Sequence, residues 1–230
     1  MSFAGLPERV AHVRAEIARR QAAGGWQHPV TIVAVTKGFG PDAVLAALTA
    51  GLTDIGENRV QEALDKMPAV TDARATWHLI GHLQRNKAKH VPGRFALVHS
   101  VDSAALAEEL SQRAEAQGGR QRVLLQVNVA GESQKSGCAP EQAPELAHHV
   151  AGLGGLILEG LMTLAPLTDD VTVQRGSFQG LRRLRDRLQE EGLWLPTLSM
   201  GMSADFATAV EEGATVIRLG TVLFGARTAP

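Results

Sequence analysis

Along the chain, short apolar runs rich in β-branched residues alternate with longer stretches in which apolar positions recur every three or four residues. Residues 5–23 predict a helix that ends at Gly24 and Gly25. Residues 30–35 are a β-branched run and predict a strand. Pro41 and Asp42 open a second helix, which stops at Gly51. The alternation then continues with strands over 54–56, 77–80, 97–100, 122–128, 156–161, 197–199 and 215–219. Between them lie predicted helices over 57–67, 84–90, 103–117, 140–151, 174–191 and 203–212. Asp102 is placed to cap the fourth of the inter-strand helices, and Gly192 and Gly213 stop the last two.

Eight strands, each followed by a helix or a helical turn, imply a parallel sheet with right-handed crossovers. Eight such units in 230 residues predict an α/β protein with a (β/α)8 TIM-type barrel. It is expected to be a single domain over residues 1–230 with an extra N-terminal helix at about 5–23. The competing architecture is an open doubly wound sheet, whose dinucleotide form carries G-x-G-x-x-G after the first strand. Here that turn reads Thr36-Lys37-Gly38-Phe39-Gly40-Pro41, which does not match.

Composition narrows the classes. Apolar residues at 44% are enough to fill one sizeable core. A formal net charge of −1 gives no basic field for nucleic acid. The lone cysteine, Cys138, cannot form an internal disulfide, which fits a reducing compartment. The N-terminal segment is charged and has no apolar core of a signal peptide, and no apolar run approaches the ~18 residues of a membrane span. The expectation is a cytoplasmic protein with no membrane or nucleic-acid partner.

In a barrel, reactive groups sit where strands end. The first strand ends at Lys37, and period-two alternation sets that lysine in line with Thr31, Val33 and Val35. A desolvated lysine is a nucleophile able to form an imine with an aldehyde; the alternative is an ordinary turn lysine beside Gly38. The eighth strand ends Arg218-Leu219-Gly220-Thr221, and the seventh runs into Ser199-Met200-Gly201-Met202-Ser203. Small residues, hydroxyls and a helix start in these two loops suit a phosphate, with Ser203 capping the next helix; two ordinary turns are the alternative. His78 and His82 stand four apart, but on a strand and its turn they do not converge as on a helix, and no acidic partner follows to complete a metal site. Cys138, in a polar loop, reads as structural or incidental. The five arginines of residues 175–187 read as a solvated outer helix, and the cluster Arg85-Asn86-Lys87-Ala88-Lys89-His90 as a solvated surface.

Taken together these segments resemble the pyridoxal phosphate homeostasis proteins, small barrels that bind pyridoxal 5′-phosphate (PLP). The matching segments are Ala34-Val35-Thr36-Lys37, Gly56-Glu57-Asn58-Arg59-Val60-Gln61-Glu62 and Trp77-His78-Leu79-Ile80-Gly81-His82-Leu83-Gln84-Arg85-Asn86-Lys87. They continue with Gln126-Val127-Asn128, Lys135-Ser136-Gly137, Gly160-Leu161-Met162, Leu198-Ser199-Met200-Gly201-Met202-Ser203, Arg218-Leu219-Gly220-Thr221 and Phe224-Gly225-Ala226-Arg227. The resemblance implies the type III fold of PLP proteins and a Schiff base on Lys37. It implies that Ser199, Gly220 and Thr221 hold the phosphate and that Arg218 faces the pyridine nitrogen. Asn58, His78, Met162, Met200 and Gly201 match positions near the cofactor. The chain departs from the usual pattern at His82, where proline is commoner, and at Arg85, where serine is commoner.

The barrel is also similar to the N-terminal domain of alanine racemase, which shares the strand-one lysine and the Arg-x-Gly ending of strand eight. Alanine racemases add a second domain carrying a catalytic tyrosine, whereas this sequence has no tyrosine. The resemblance therefore implies a protein of PLP homeostasis whose partners are PLP and apo PLP-dependent enzymes; the missing second base predicts binding and delivery without substrate turnover, and one barrel completing its own site predicts a monomer. The alternatives are a racemase-like PLP enzyme and a PLP-independent barrel enzyme whose Lys37 forms an imine with a sugar phosphate.

Overall fold

The computed structural model describes residues 3–132 and 136–226; Lys135 and Arg227, both within matching segments, lie outside the described residues. Among the described residues are eight strands: β1 (Thr31–Val35), β2 (Asp54–Glu57), β3 (Thr76–Leu79), β4 (Leu97–Val101), β5 (Gln121–Gln126), β6 (Leu156–Met162), β7 (Thr197–Met202) and β8 (Val216–Leu219). Each pairs in parallel with the next, and β8 pairs with β1, so the sheet closes into a barrel. The strands are nearly continuous apolar runs because both faces are buried, one against the helices and one against the barrel interior.

The helices are α1 (Leu6–Gly24), α2 (Pro41–Thr49), α3 (Val60–Lys66), α4 (Ala104–Glu115), α5 (Ala143–Gly152), α6 (Val171–Glu190), α7 (Phe206–Glu211) and α8 (Thr221–Phe224). In α1 the buried residues Leu6, Val10, Val13 and Ile17 form one stripe at helical spacing. That stripe holds α1, the extra N-terminal helix, against α7 and α8. The outer apolar shell between strands and helices is one continuous cluster, while Leu97, Leu124 and Met162 form a separate small cluster.

Three of the differences from the sequence expectation concern the helices and have identifiable reasons. The helix expected over 84–90 is a 3-10 turn, Arg85–His90, in which Lys87 N–H donates to Gln84 O (2.9 Å) and Val91 N–H to Ala88 O (3.1 Å). Of that turn Ala88 is the buried residue, so little packing supports a longer helix. Helix α6 begins earlier than expected because Asp170 accepts hydrogen bonds from Thr172 N–H (2.8 Å) and Val173 N–H (3.4 Å). Asp102 does not cap α4, whose N-cap is Ser103; its carboxylate lies 3.6 Å from His82 Nδ1 instead.

Of the five arginines of α6, Arg183 and Arg187 are exposed as their spacing suggests, while Arg175, Arg182 and Arg185 are part-buried. Arg175 pairs with Glu211 and Glu212, Arg182 donates to Glu212 Oε2 (3.0 Å), and Arg20 of α1 also pairs with Glu211. The guanidinium of Arg182 lies 5.4 Å from the Trp26 ring. The network ties α1, α6 and α7 together behind β7 and β8.

Candidate functional site

Parallel strands bring their C-terminal ends to one mouth, and there the structure opens a cavity of about 560 Å³. Its walls come from the ends of several strands. Lys37 follows β1, Asn58 follows β2, Gly81 and His82 follow β3, and Gln126 ends β5. Leu164 follows β6, Met202 ends β7, and Gly220 and Thr221 follow β8, with Arg218 inside the last strand. Five residues expected from sequence, Lys37, Asn58, Arg218, Gly220 and Thr221, therefore share one cavity. Met162, Ser199, Met200, Gly201 and His78 are not among its lining residues.

The turn that carries Lys37 is clamped from behind. Lys66 Nζ donates to Thr36 O (2.9 Å), to Glu57 Oε1 (2.7 Å) and to Glu62 Oε1 (2.8 Å). Thr36 Oγ1 donates to Glu57 Oε1 and Gly38 N–H to Glu62 Oε1, each at 2.5 Å. Thus the peptide on both sides of Lys37 is fixed by β2 and α3. The Phe39 ring, two residues on, packs with Phe3 and with Phe224 of α8 at centroid distances of 5.9 and 5.6 Å. The lysine loop and the β8 loop are thereby tied together.

At the β8 end, the N–H groups of Gly220 and Val222 donate to Ser203 Oγ at 3.1 and 3.3 Å. Two amides and a hydroxyl converge on one corner of the cavity. Ser203 was expected to cap the helix after β7, but the N-cap of α7 is Asp205, and Ser203 serves the β8 loop. A Cβ built on Gly220 meets Val35 at 3.7 Å, ordinary contact. The protein's own packing therefore does not demand a glycine there; its absent side chain leaves room beside the amides for a bound group.

Ser199 was expected at that corner. The structure places it deeper, because β7 runs to Met202 and not to 199, which moves the mouth three residues along the chain. Ser199 is fully buried, accepts from Arg218 Nη1 (2.5 Å) and bonds His99 Nδ1 (2.9 Å). Met200 alternates with Ser199, so it points outward into the shell under the helices. Gly201 has φ +95°, and a Cβ there would stand 2.6 Å from Ala209 Cβ. Its glycine is required by packing against α7. Met162 packs with Leu97 and Leu124, and Leu164, which lines the cavity, packs on that group.

His78 and His82 do not converge. His78 is buried and bonds His99 and Asp54, while the His82 side chain is 56% exposed at the rim beside Asp102. Among the described residues no cluster of His, Cys, Asp and Glu has the arrangement of a metal site. Residues that the sequence reading did not assign are Ser203, Gln126, Ile80, Leu164 and Met202 at the cavity, and His99 beneath it. Gln126 and Met202 end their strands, so a correct strand end is the signal that would have found them. His99 lies in mid-strand and carries no such signal.

Arg218 is fully buried; burial pulls its guanidinium down to about 10, so it stays protonated at neutral pH. Its second nitrogen donates to Thr163 O (2.9 Å). Burial, with His78 and the Arg218 guanidinium beside it, holds His99 well below 6.5 and therefore neutral. Unfolding returns His99 to water, where it titrates near 6.5. Below that pH the unfolded chain binds a proton that the folded chain does not. Stability from this group is level above 6.5 and falls as the pH drops below it, by about 1.4 kcal/mol per unit once well below. Urea unfolding of the wild type and His99→Gln between pH 7.5 and 5 checks this: the variant should lose less stability, and equal losses would show that His99 protonates in the folded barrel.

Cys138 is buried, and its backbone pairs with Gln126 and Asn128. Burial, with the charge of Asp102 behind it, pushes the thiol up to about 12. Native protein is expected to react with a chromogenic aromatic disulfide far more slowly than urea-unfolded protein. Rapid stoichiometric labelling of the native form would show that this segment opens readily.

A barrel with a lysine after β1 and an Arg-x-Gly end to β8 defines a class. The family described as "Alanine racemase, N-terminal domain" matches residues 10–228. Within it, the chain is 45% identical to the pyridoxal phosphate homeostasis protein of Pseudomonas aeruginosa, over 96% of each chain. It is 42% identical to the Aquifex aeolicus protein of the same name, over 96% of this chain and 97% of that one. Synechococcus elongatus PipY, solved with PLP bound, superposes with a TM-score of 0.84 at 38% identity, covering 96% of this chain and all of that one. The chain belongs to the pyridoxal phosphate homeostasis protein family.

Proposed function

We propose that this chain binds PLP as a Schiff base on Lys37 and takes part in intracellular PLP homeostasis, delivering the cofactor to apo PLP-dependent enzymes without turning over a substrate. The observation that carries this reading is the sharing of one cavity of about 560 Å³ by an amine, Lys37, and a polar corner, Ser203 with Gly220 and Thr221. PLP brings an aldehyde that forms an imine with an amine and a phosphate that needs donors. The residues fit it: the space beside Gly220 takes the phosphate, the hydroxyls of Ser203 and Thr221 are its donors, and the Gly220 and Val222 amides, which donate to Ser203 Oγ, hold that hydroxyl in place. Asn58 and Gln126 supply polar groups on the walls, and Ile80 and Leu164 apolar surface for a ring. Met162 supports that surface through Leu164.

Arg218 and the missing second base speak against turnover. Arginine only donates, so opposite a pyridine nitrogen it favours the unprotonated ring, a weaker electron sink than one held protonated by a carboxylate. The sequence holds no tyrosine to act as a second base. Among the described residues no helix is long and apolar enough to cross a membrane. We place the protein in the cytoplasm as a monomer, since one barrel completes this cavity.

The test is reduction of the PLP-loaded protein with borohydride, digestion and location of the pyridoxyl mass. It is expected on Lys37; finding it mainly on another lysine, such as Lys87, sinks the assignment. Incubation of the loaded protein with L- and D-amino acids in deuterated buffer tests the carrier reading. Sustained Cα exchange at enzyme-like rates, abolished in Lys37→Ala, would replace it with the racemase-like alternative.

A further inference from the structure

A line of hydrogen bonds crosses the barrel interior from the cavity to the opposite mouth. Arg218 Nη1 donates to Ser199 Oγ (2.5 Å), Ser199 Oγ bonds His99 Nδ1 (2.9 Å), His99 Nε2 bonds His78 Nδ1 (3.0 Å), and His78 Nε2 bonds Asp54 Oδ1 (3.0 Å). Four of the five residues are buried; Asp54, the first residue of β2, has a side chain 28% exposed at the far end. Its other oxygen accepts from Thr53 Oγ1 (3.2 Å). Asp54 also lines a separate pocket of about 250 Å³ with Arg14, Thr31 and Thr53. Arg218 lines the cavity that ends in Lys37 and Gly220.

The two ends fix the direction of every bond between them. Arg218 can only donate, and the Asp54 carboxylate can only accept. With both imidazoles neutral, His78 must carry its proton on Nε2 to meet Asp54, so its Nδ1 is a lone pair. His99 must then carry its proton on Nε2 and offer a lone pair at Nδ1. Ser199 gives its single hydrogen to that lone pair and turns its oxygen to Arg218. For neutral rings one arrangement satisfies all four contacts, and each dipole in it favours the positive charge of the guanidinium.

We infer that His99, with His78 and Asp54 behind it, is a positioning residue for Arg218, and that the acidic end of the relay at the far mouth tunes how the cavity holds the pyridine ring. This rests on the reading that the cavity binds PLP. By orienting Ser199, the relay commits Nη1 of Arg218, while Thr163 O commits Nη2 (2.9 Å). The guanidinium plane is thereby fixed before any ligand enters.

The first measurement needs no cofactor. In uniformly ¹⁵N-labelled apoprotein at neutral pH, the ring nitrogens of His78 and His99 should both report the Nε2–H tautomer. A predominant Nδ1–H tautomer at His99 overturns the relay. The second titrates pyridoxal 5′-phosphate into wild type, Asp54→Ala, Asp54→Asn and His99→Leu, following affinity and the visible band. Asp54→Ala, partly exposed and on the far side of the barrel, should weaken binding roughly three- to tenfold and move the band. Asp54→Asn should restore most of the wild-type behaviour, because its amide oxygen still accepts from His78. His99→Leu should match or exceed the effect of Asp54→Ala. Wild-type protein that gains no visible band overturns the cofactor reading. Normal wild-type binding beside an Asp54→Ala variant of unchanged affinity and spectrum overturns the relay alone.

Discussion

Gly220→Val is expected to lower PLP affinity by roughly one to two orders of magnitude while leaving the barrel folded. A Cβ at this position meets Val35 only at ordinary contact distance, 3.7 Å, so the empty protein tolerates it. The valine methyls would occupy the space beside the β8-loop amides, where the phosphate is proposed to sit. Overpacking a filled site costs about 1–3 kcal/mol, and each 1.4 kcal/mol is tenfold in affinity. Lys37→Ala removes the imine but keeps the phosphate corner, so its noncovalent binding should fall less. Equilibrium titration of both variants, with urea midpoints as the check on folding, decides it. Wild-type affinity in Gly220→Val would place the phosphate elsewhere.

Lys66→Met is expected to destabilise the fold by about 3–5 kcal/mol, the cost of leaving a buried carboxylate without its cation. Lys66 is 5% exposed and Glu57 fully buried, and Glu57 Oε2 has no hydrogen-bond partner. Burial already pushes the Glu57 carboxyl upward against the pull of Lys66 and Thr36. Without Lys66, Glu57 keeps only the Thr36 hydroxyl among its present partners. The double variant Glu57→Gln/Lys66→Met should recover much of the loss, because the uncompensated charge is gone. A loss below about 1 kcal/mol in Lys66→Met, read from urea unfolding, would show that Glu57 is relieved by water or by taking up a proton when the lysine is removed. The turn carrying Lys37 should loosen in the same variant, since Lys66 also holds Thr36 O (2.9 Å).

Much of the barrel was legible because its determinants are local. Short continuous apolar runs, stop glycines and the strand–helix alternation follow from backbone geometry, and eight units leave few ways to close a sheet. Gly220 stood out because it follows a strand whose end its own residues mark; Lys37, expected to end β1 in line with Val35, lies in the turn after Val35 and is half-buried. The errors were also local. Taking β7 to end at 199 placed Ser199 at the mouth and made Ser203 a helix cap, whereas the strand continues to Met202. The hydrogen bonds that extend β7 come from its neighbours, with register shifts on the β8 side that no pattern in residues 197–203 displays.

By itself, then, the sequence determined the parallel barrel, the lysine after β1 and the small-residue loop after β8, because spacing along the chain encodes each. Only the tertiary structure decided what lies behind them. Lys66 and Glu57 are nine positions apart and on different elements, and their burial around Thr36 depends on how α3 lies against β2. His99 and Ser199 are separated by 100 residues and meet because β4 and β7 face the same barrel interior. A side chain's neighbours across a closed barrel are set by strand tilt and register, which are properties of the assembled sheet and not of any one segment.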